Sequence, residues 1–480
     1  MSNNGLHHNL ITLPPGKNAT DVINERHDIV LLFDATKANP NGDPDAGNMP
    51  RLQPDSLKGL VTDVCLKRKI RNFFSLYTPN GSPLTDQPAD GYRIFVKENA
   101  IFKDHLDDVQ QRMCRIQFGK LIEDLKKRGY LAEQGVGEIE QAVRFELFPD
   151  KPKEVAKFVL ENCKGRLHFA SLLTEVCQEM ETYQELSSEI KEKLKAIQLS
   201  DDDKKSEDKL RKALTDAAKK AVGKGEAKTV EGILKLCFDK CSPQAQIEKK
   251  FAELELEKLV REYACKEFID NRTFGCVIST KGPLEGSFYG QVRGPVQITF
   301  AESLDKVLQL DATITRCAVA SKDEIESTGS AAGNRTMGRK FLVDYGLYRT
   351  QIYVSAAFAH KTGFTYYDLD NFLFALKHMF QDDNAAGRAG MRVVGLIDFQ
   401  HATCLGNVPA HKLFEKVLVE KKDSGQELPG RLEDYHGEAP ADGAVMEEGE
   451  GENKRTLVAA KRLVWEIPQK LNAAAQGSMR

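Results

Sequence analysis

Nowhere in its 480 residues does the chain hold the roughly 18 consecutive apolar residues that a membrane span needs, and Met1–Gly16 lacks a charged region followed by an apolar one. A soluble, cytoplasmic protein without membrane contact is expected. Charge of one sign is lacking too: 68 Lys and Arg stand against 71 Asp and Glu, a net charge of −3. That excludes a polycation gripping nucleic acid by charge excess, so any such surface must be a local patch. The ten cysteines, Cys237 and Cys241 at helical spacing among them, never form a C-x-x-C pair. This excludes a zinc knuckle and reads as reduced thiols. Also missing are G-x-S-x-G, a Walker A loop, H-E-x-x-H and the aromatic pattern with which RRM proteins stack bases.

What is present is a globular composition, 41% hydrophobic and 29% charged. The run Ile29–Phe33 predicts a strand buried on both faces, and Asn39–Pro50, dense in Asn, Pro, Gly and Asp, predicts a structured loop. Asp55 or Ser56 then caps an expected helix carrying Leu57, Leu60, Val61 and Val64 and ending in Lys67, Arg68, Lys69 and Arg71. Tyr92, Ile94 and Val96 alternate as in an edge strand. From about Asn99 to Asp270 the composition is helical and charge-dense. Strands are expected again at Arg272–Thr280, Gln291–Phe300 and Leu347–Phe358, with a polar excursion over 311–345. A helix over Asp368–Phe380 and a strand over Met391–Phe399 follow. The stretch Glu433–Glu452, with eight acidic residues, reads as a solvated loop, and Leu457–Leu471 as an amphipathic helix containing the single Trp465. Without the helical insertion the order is β-α-β-β-α-β, a ferredoxin-like, α+β arrangement.

Several clusters have chemical meaning. Asn41, Asp43 and Asp45 open like a calcium loop, but Ala46 and Leu52 stand where its turn Gly and bidentate Glu belong, so no resident metal is expected. The same aspartates suit metal-assisted phosphodiester cleavage, which stays open as the alternative. Lys67, Arg68 and Arg71 cluster cations on a helix that can neutralise phosphates or complement the helix dipole. Arg293 lies between glycines in Gly290-Gln291-Val292-Arg293-Gly294-Pro295, where backbone can approach a phosphate closely. Asn334-Arg335-Thr336-Met337-Gly338-Arg339-Lys340 joins three cations to one Met that either wedges between bases or packs locally.

Three stretches together resemble a known family. They are Asn39–Pro44 with Gly47–Arg51 and Thr62–Arg71, then Arg272–Gly275 with Gly290–Gln297, then Asn334–Lys340 leading to Tyr345–Arg349. They are similar to the crRNA-binding backbone subunit of type I CRISPR effector complexes (Cascade), closest to the type I-C form, in the RAMP superfamily. The resemblance implies a modified ferredoxin-like (RRM-like) palm over 28–99 and 269–410 and a thumb hairpin within 311–345. An N-terminal segment (1–27), a large helical insertion (100–268) and a C-terminal acidic loop and helix (411–480) complete the expected plan. It further implies copies polymerising head to tail along a guide RNA, with the spacer presented to target DNA and sequence read by base pairing. The large subunit and the guide-processing subunit of the complex are the remaining expected partners.

On that picture Lys67, Arg68 and Arg71 contact guide phosphates from the first helix and Arg293 does so from the glycine-rich turn. Arg335, Met337, Arg339 and Lys340 act around the thumb, while Asn39, Asn41, Gly42 and Arg51 shape the loop after the first strand. No catalytic residue and no cofactor is expected. The alternative is a metal-dependent endoribonuclease using Asp43 and Asp45, which occupy the loop where target-cleaving relatives carry a catalytic aspartate.

Overall fold

The apolar run at Ile29–Phe33 becomes the centre of β1 (His27–Ala38), in which only Thr36 and Lys37 are exposed. Burial on both faces follows from its neighbours: β1 pairs antiparallel with two long strands, one on each side. The structure is a computed structural model describing residues 6–84, 88, 90–98, scattered helical positions between 104 and 235, and 256–277, 290–316, 336–423, 427–448 and 455–469. The chain divides into two units, one of residues 1–100, 264–278 and 291–480 and one of residues 101–263 and 279–290. In the second, described positions such as Asp104, Arg112 and Thr215 are helical.

In the first unit, β2 (Gly42–Asp43) and β3 (Met49–Pro50) form a two-rung hairpin around a 3-10 turn at Pro44–Ala46. Then come β4 (Lys58–Val61) and α1 (Asp63–Leu76). This corrects the expected helix start at Asp55 or Ser56. Leu57, Leu60 and Val61 have helical spacing, but Gly59 faces Tyr348 so closely that a Cβ would overlap its ring, and the segment pairs with a neighbouring strand instead. Thr62 caps α1, its Oγ1 accepting from Cys65 N at 3.3 Å.

The Tyr92–Val96 alternation does not form the expected edge strand. Arg93 makes one parallel bridge to Phe268, and the Asp270 carboxylate takes the amides of Phe95 and Val96 at 2.8 and 3.0 Å. The chain returns through α2 (Leu256–Glu267) and α3 (Ile269–Phe274). A helix therefore takes the first three positions, 272–274, of the strand expected over Arg272–Thr280, with Asp270 bonded to Arg71 and Arg272 to Asp368; 275–277 is a strand as expected, and 278–280 lies outside the described residues. There follow β5 (Gly275–Val277), β6 (Gln291–Arg293), β7 (Val296–Ile298), β8 (Ala301–Lys306), β9 (Gln309–Arg316) and β10 (Thr336–Val354). Strands β9 and β10 pair from Arg316↔Thr336 to Gln309↔Val343, a two-stranded arm within the polar excursion.

After β10 come α4 (Ala356–Thr362), α5 (Tyr366–His378), β11 (Met391–His401) and α6 (Ala410–Phe414). The last strands are β12 (Leu418–Lys421), β13 (Tyr435–Glu438), β14 (Val445–Glu448) and β15 (Arg455–Trp465). Two expectations fail here. The acidic stretch is not all loop, since it supplies β13 and β14, and the expected C-terminal helix is β15 through Trp465. Val458 and Ala460 alternate into the interior and β15 pairs with β11, burial that a helix could not give them.

The main sheet runs β14-β15-β11-β1-β10-β8-β4, with β7 and β9 also paired to β10, all antiparallel. Period-2 alternation along β1 divides two cores. Ile29, Leu31 and Phe33 pack with Ile70 of α1 and Leu369, Phe372 and Leu376 of α5. Val30 and Leu32 pack on the opposite face with Phe414, Val417, Leu432 and Tyr435. Arg349 fixes that second layer by donating to the carbonyls of Val417 and Phe414 at 2.9 and 2.6 Å. Both faces of the sheet are thus covered at β1.

Candidate nucleic-acid interface

The loop after β1 is built by asparagines. Asn41 Oδ1 accepts from both the amide and the hydroxyl of Thr62, at 2.9 and 3.0 Å, which ties the loop to the cap of α1. Asn39 donates through Nδ2 to Asn48 O at 2.8 Å, and its amide donates to Gly387 O at 2.6 Å. Gly42 leaves room here for the Asn48 side chain, which a Cβ would overlap. Asp43 caps the turn by accepting from Asp45 N at 3.2 Å and pairs with Arg51 at 3.3 Å.

This loop forms one wall of a cleft of about 440 Å³; α1, the β9–β10 arm and the 383–388 segment form the others. Of the residues expected from sequence, Asn39, Asn41, Gly42, Arg68, Arg339 and Lys340 line it together. Lys69 and Arg388 add two cations, making five against the single carboxylate of Asp383. Lys69 and Asp383 form a nearly buried pair, and Arg388 joins Asp383 at 3.2 Å, so one acidic group serves two cations. Among the described residues Arg68 pairs with Glu98 at 3.2 Å and Arg339 with Asp311 at 3.3 Å, in exposed pairs with little hold on either guanidinium. Burial raises the pKa of the Cys65 thiol, which also lines the cleft, so it stays protonated near neutral pH. The arrangement suits a phosphate-bearing strand: clustered cations, polar amides and glycine backbone.

The other expected residues lie elsewhere. Lys67 pairs with Asp63 at 2.9 Å and Arg71 with buried Asp270 at 2.9 Å, both on the flank of α1 facing Phe274. Arg51 is held by Asp43 behind the loop, and Arg293 stands over Phe358 with its guanidinium carbon 4.6 Å from the ring centre. Met337 is on β10 opposite Thr315, and Arg335 lies outside the described residues. Asp43 and Asp45 are engaged in the turn, and no group of three or more His, Cys, Asp or Glu among the described residues is placed to hold a metal. Lys69 and Arg388 are not among the site residues expected from sequence. Lys69 sits in the same basic run as Arg68, and Arg388 sits in Gly387-Arg388-Ala389-Gly390, an arginine among glycines like Arg293.

A family model described as CRISPR-associated protein Cas7 matches residues 25–164 and 183–439, most of the chain. The chain belongs to the Cas7 family. Among relatives, the CRISPR-associated protein Cas7 of Haloferax volcanii is 38% identical over 73 residues, 15% of this chain and 18% of that protein's length. A chain of a solved structure titled "CRISPR RNA-guided surveillance complex, pre-nicking" is matched over 78% of both chains, at 12% identity and a TM-score of 0.32. The family match takes in the Cas7 chain's cleft loop, α1, the β9–β10 arm and Arg388.

Proposed function

We propose that this Cas7-family chain is a non-catalytic backbone subunit of a type I, I-C-like CRISPR surveillance complex that binds crRNA. Copies assemble head to tail along the guide in a helical filament and present the spacer for pairing with target DNA. The large and guide-processing subunits complete the cytoplasmic assembly. The sheet with α1 and α5 on one face serves as an RRM-like palm, and the β9–β10 arm as the thumb. One observation carries this reading: five cations line the cleft between loop, α1 and arm, with Asp383 the one lining carboxylate among the described residues and Glu98 and Asp311 holding Arg68 and Arg339 only in exposed pairs. A surface of that kind holds a polyanion by its backbone and leaves the bases free for pairing.

Asn39, Asn41 and Gly42 shape the cleft wall. Arg68, Arg339 and Lys340, joined by Lys69 and Arg388, neutralise guide phosphates, while Arg335 and Met337 act where the arm meets the strand. Engagement of Asp43 by Arg51 and the turn argues against the endoribonuclease alternative. The test is to purify the protein at moderate salt, measure its 260/280 nm absorbance ratio and particle size, and sequence any RNA present. Repeat-spacer RNA in particles far larger than a monomer is expected. An RNA-free monomer that ignores added guide overturns the proposal.

A further inference from the structure

A second set of cations gathers on the far flank of α1. Cys65, Arg68, Lys69 and Asn72 of that helix line the cleft, whereas Lys67 and Arg71 turn to the ring of Phe274, 5.8 and 5.3 Å from its centre. Those two are neutralised by Asp63 and Asp270. The next residue, Gly275, pairs in register with Arg293. Arg293 and Lys361 converge on one half-buried ring, Phe358, at 4.6 and 5.6 Å from its centre.

Arg293 and Lys361 are both exposed, and neither has a carboxylate partner among the described residues. A half-buried ring attracts a cation by about 0.5–2 kcal/mol and does not neutralise it. Two like charges held at one ring therefore leave a surplus that an anion relieves. The position of Arg293 is fixed beforehand. A Cβ on Gly275 or Gly294 would overlap the facing backbone, so the β5–β6 strands meet more closely than side chains allow. A guanidinium lying over a ring and an ammonium beside it suit a phosphate together with a stacked base.

We propose that Arg293, Phe358 and Lys361 form a second contact for single-stranded RNA, across α1 from the cleft, so that the guide passes over α1 between the two. This rests on the guide-binding reading. The test is a fluorescence-anisotropy titration of guide RNA against the full chain at several salt concentrations. Wild type, Arg293→Ala/Lys361→Ala, Phe358→Leu and the cleft variant Arg68→Ala/Lys340→Ala are compared, with thermal midpoints as the folding check.

Losing two phosphate contacts should lower the log–log salt slope of Arg293→Ala/Lys361→Ala by about 1.4 and weaken binding roughly tenfold. Phe358→Leu should weaken binding about fivefold or more with the slope unchanged, since stacking and not charge is removed. Single Lys361→Ala, a change at an exposed position, repeats the slope test if the double variant fails to fold. If the Arg293 and Lys361 variants bind like wild type while the cleft variant is impaired, this second contact is wrong and the cleft reading stands. If wild type binds no RNA, both fall together.

Discussion

The side chain of Asn48 occupies the space that a Cβ on residue 42 would need, so any larger residue there has to displace Asn48. Asn48 in turn presents its carbonyl to Asn39 Nδ2 at 2.8 Å, which connects that close approach to the cleft wall. Gly42→Ala should force Asn48 aside. Overpacking of this kind costs typically about 1–3 kcal/mol. The expected outcome is a lower denaturant midpoint together with weaker guide binding, read by anisotropy on the same preparation. Unchanged stability and affinity would show that the loop rearranges freely and that its shape does not matter to the cleft.

Among the described residues Asp383 is the one carboxylate lining the cleft, and it holds both Lys69 and Arg388. Asp383→Asn should act in opposite directions on stability and binding. The nearly buried Lys69 loses its counter-charge, and breaking a buried pair from one side typically costs about 3–5 kcal/mol. Removing a negative charge from the path of a phosphate strand should tighten RNA binding by roughly three- to fivefold at low salt. Urea titration and anisotropy read the two effects separately. Weaker binding in a folded Asp383→Asn protein would mean that Asp383 positions the cations rather than opposing the strand.

Asp368 caps α5 and receives Arg272 through two bonds of 2.9 Å, with the Tyr92 hydroxyl donating at 3.0 Å. Burial alone would raise its pKa, but the Arg272 charge and these donors prevail and hold the carboxyl below the usual range. A depressed carboxylate contributes stability that is fully present above its unfolded value, about 3.9, and is lost as pH falls through the folded value. The stability gap between wild type and Asp368→Asn should therefore be widest near neutral pH and shrink below about pH 3.9. Urea midpoints of both proteins across the acid range check it. A gap independent of pH would mean that geometry, not ionisation, makes the pair stabilising.

The strands and helices legible in the sequence are those whose period matches their burial. Ile29–Phe33 is apolar on both sides because β1 lies between two cores, and Leu369, Phe372 and Leu376 form the stripe that α5 turns toward the sheet. Where one short pattern fits two structures, tertiary contacts decide. Leu57, Leu60 and Val61 have helical spacing, but Leu60 and Val61 lie in β4 beside Gly59, which packs against Tyr348, while Leu57 precedes the strand. The C-terminal segment reads as amphipathic until β11 is there to pair with Val458 and Ala460. Cleft residues follow the same division. Arg68, Arg339 and Lys340 are visible as local cation clusters, while Arg388 becomes part of the site only because Gly387 and Gly390 carry it against the backbone of Asn39 and Thr36. The inward turn of Arg71 depends on Asp270, 199 positions away in the chain, and no local pattern announces that pairing.

Where the chain leaves and re-enters the first unit, its two limbs are fastened within that unit. Arg93 N donates to Glu267 O at 3.2 Å and Ile269 N to Arg93 O at 3.0 Å, and the Phe95 and Phe268 rings meet edge-on at 5.2 Å. Asp270 completes the clasp by accepting from Phe95 N, Val96 N and Arg71. Because these ties are made by residues 93–96 and 267–270, the long segment between them does not have to supply them. Replacing residues 101–263 by a short glycine–serine linker should leave a protein that unfolds cooperatively and retains RNA binding, as loop closure depends only weakly on length. Asp270→Ala is the counterpart, since it leaves Arg71 without its counter-charge and two amides without their acceptor. It should destabilise full-length and shortened proteins alike, by about 3–5 kcal/mol. Calorimetry on the four proteins distinguishes the outcomes: if the shortened chain fails to fold while Asp270→Ala is mild, the 101–263 segment, and not the clasp, holds the two limbs together.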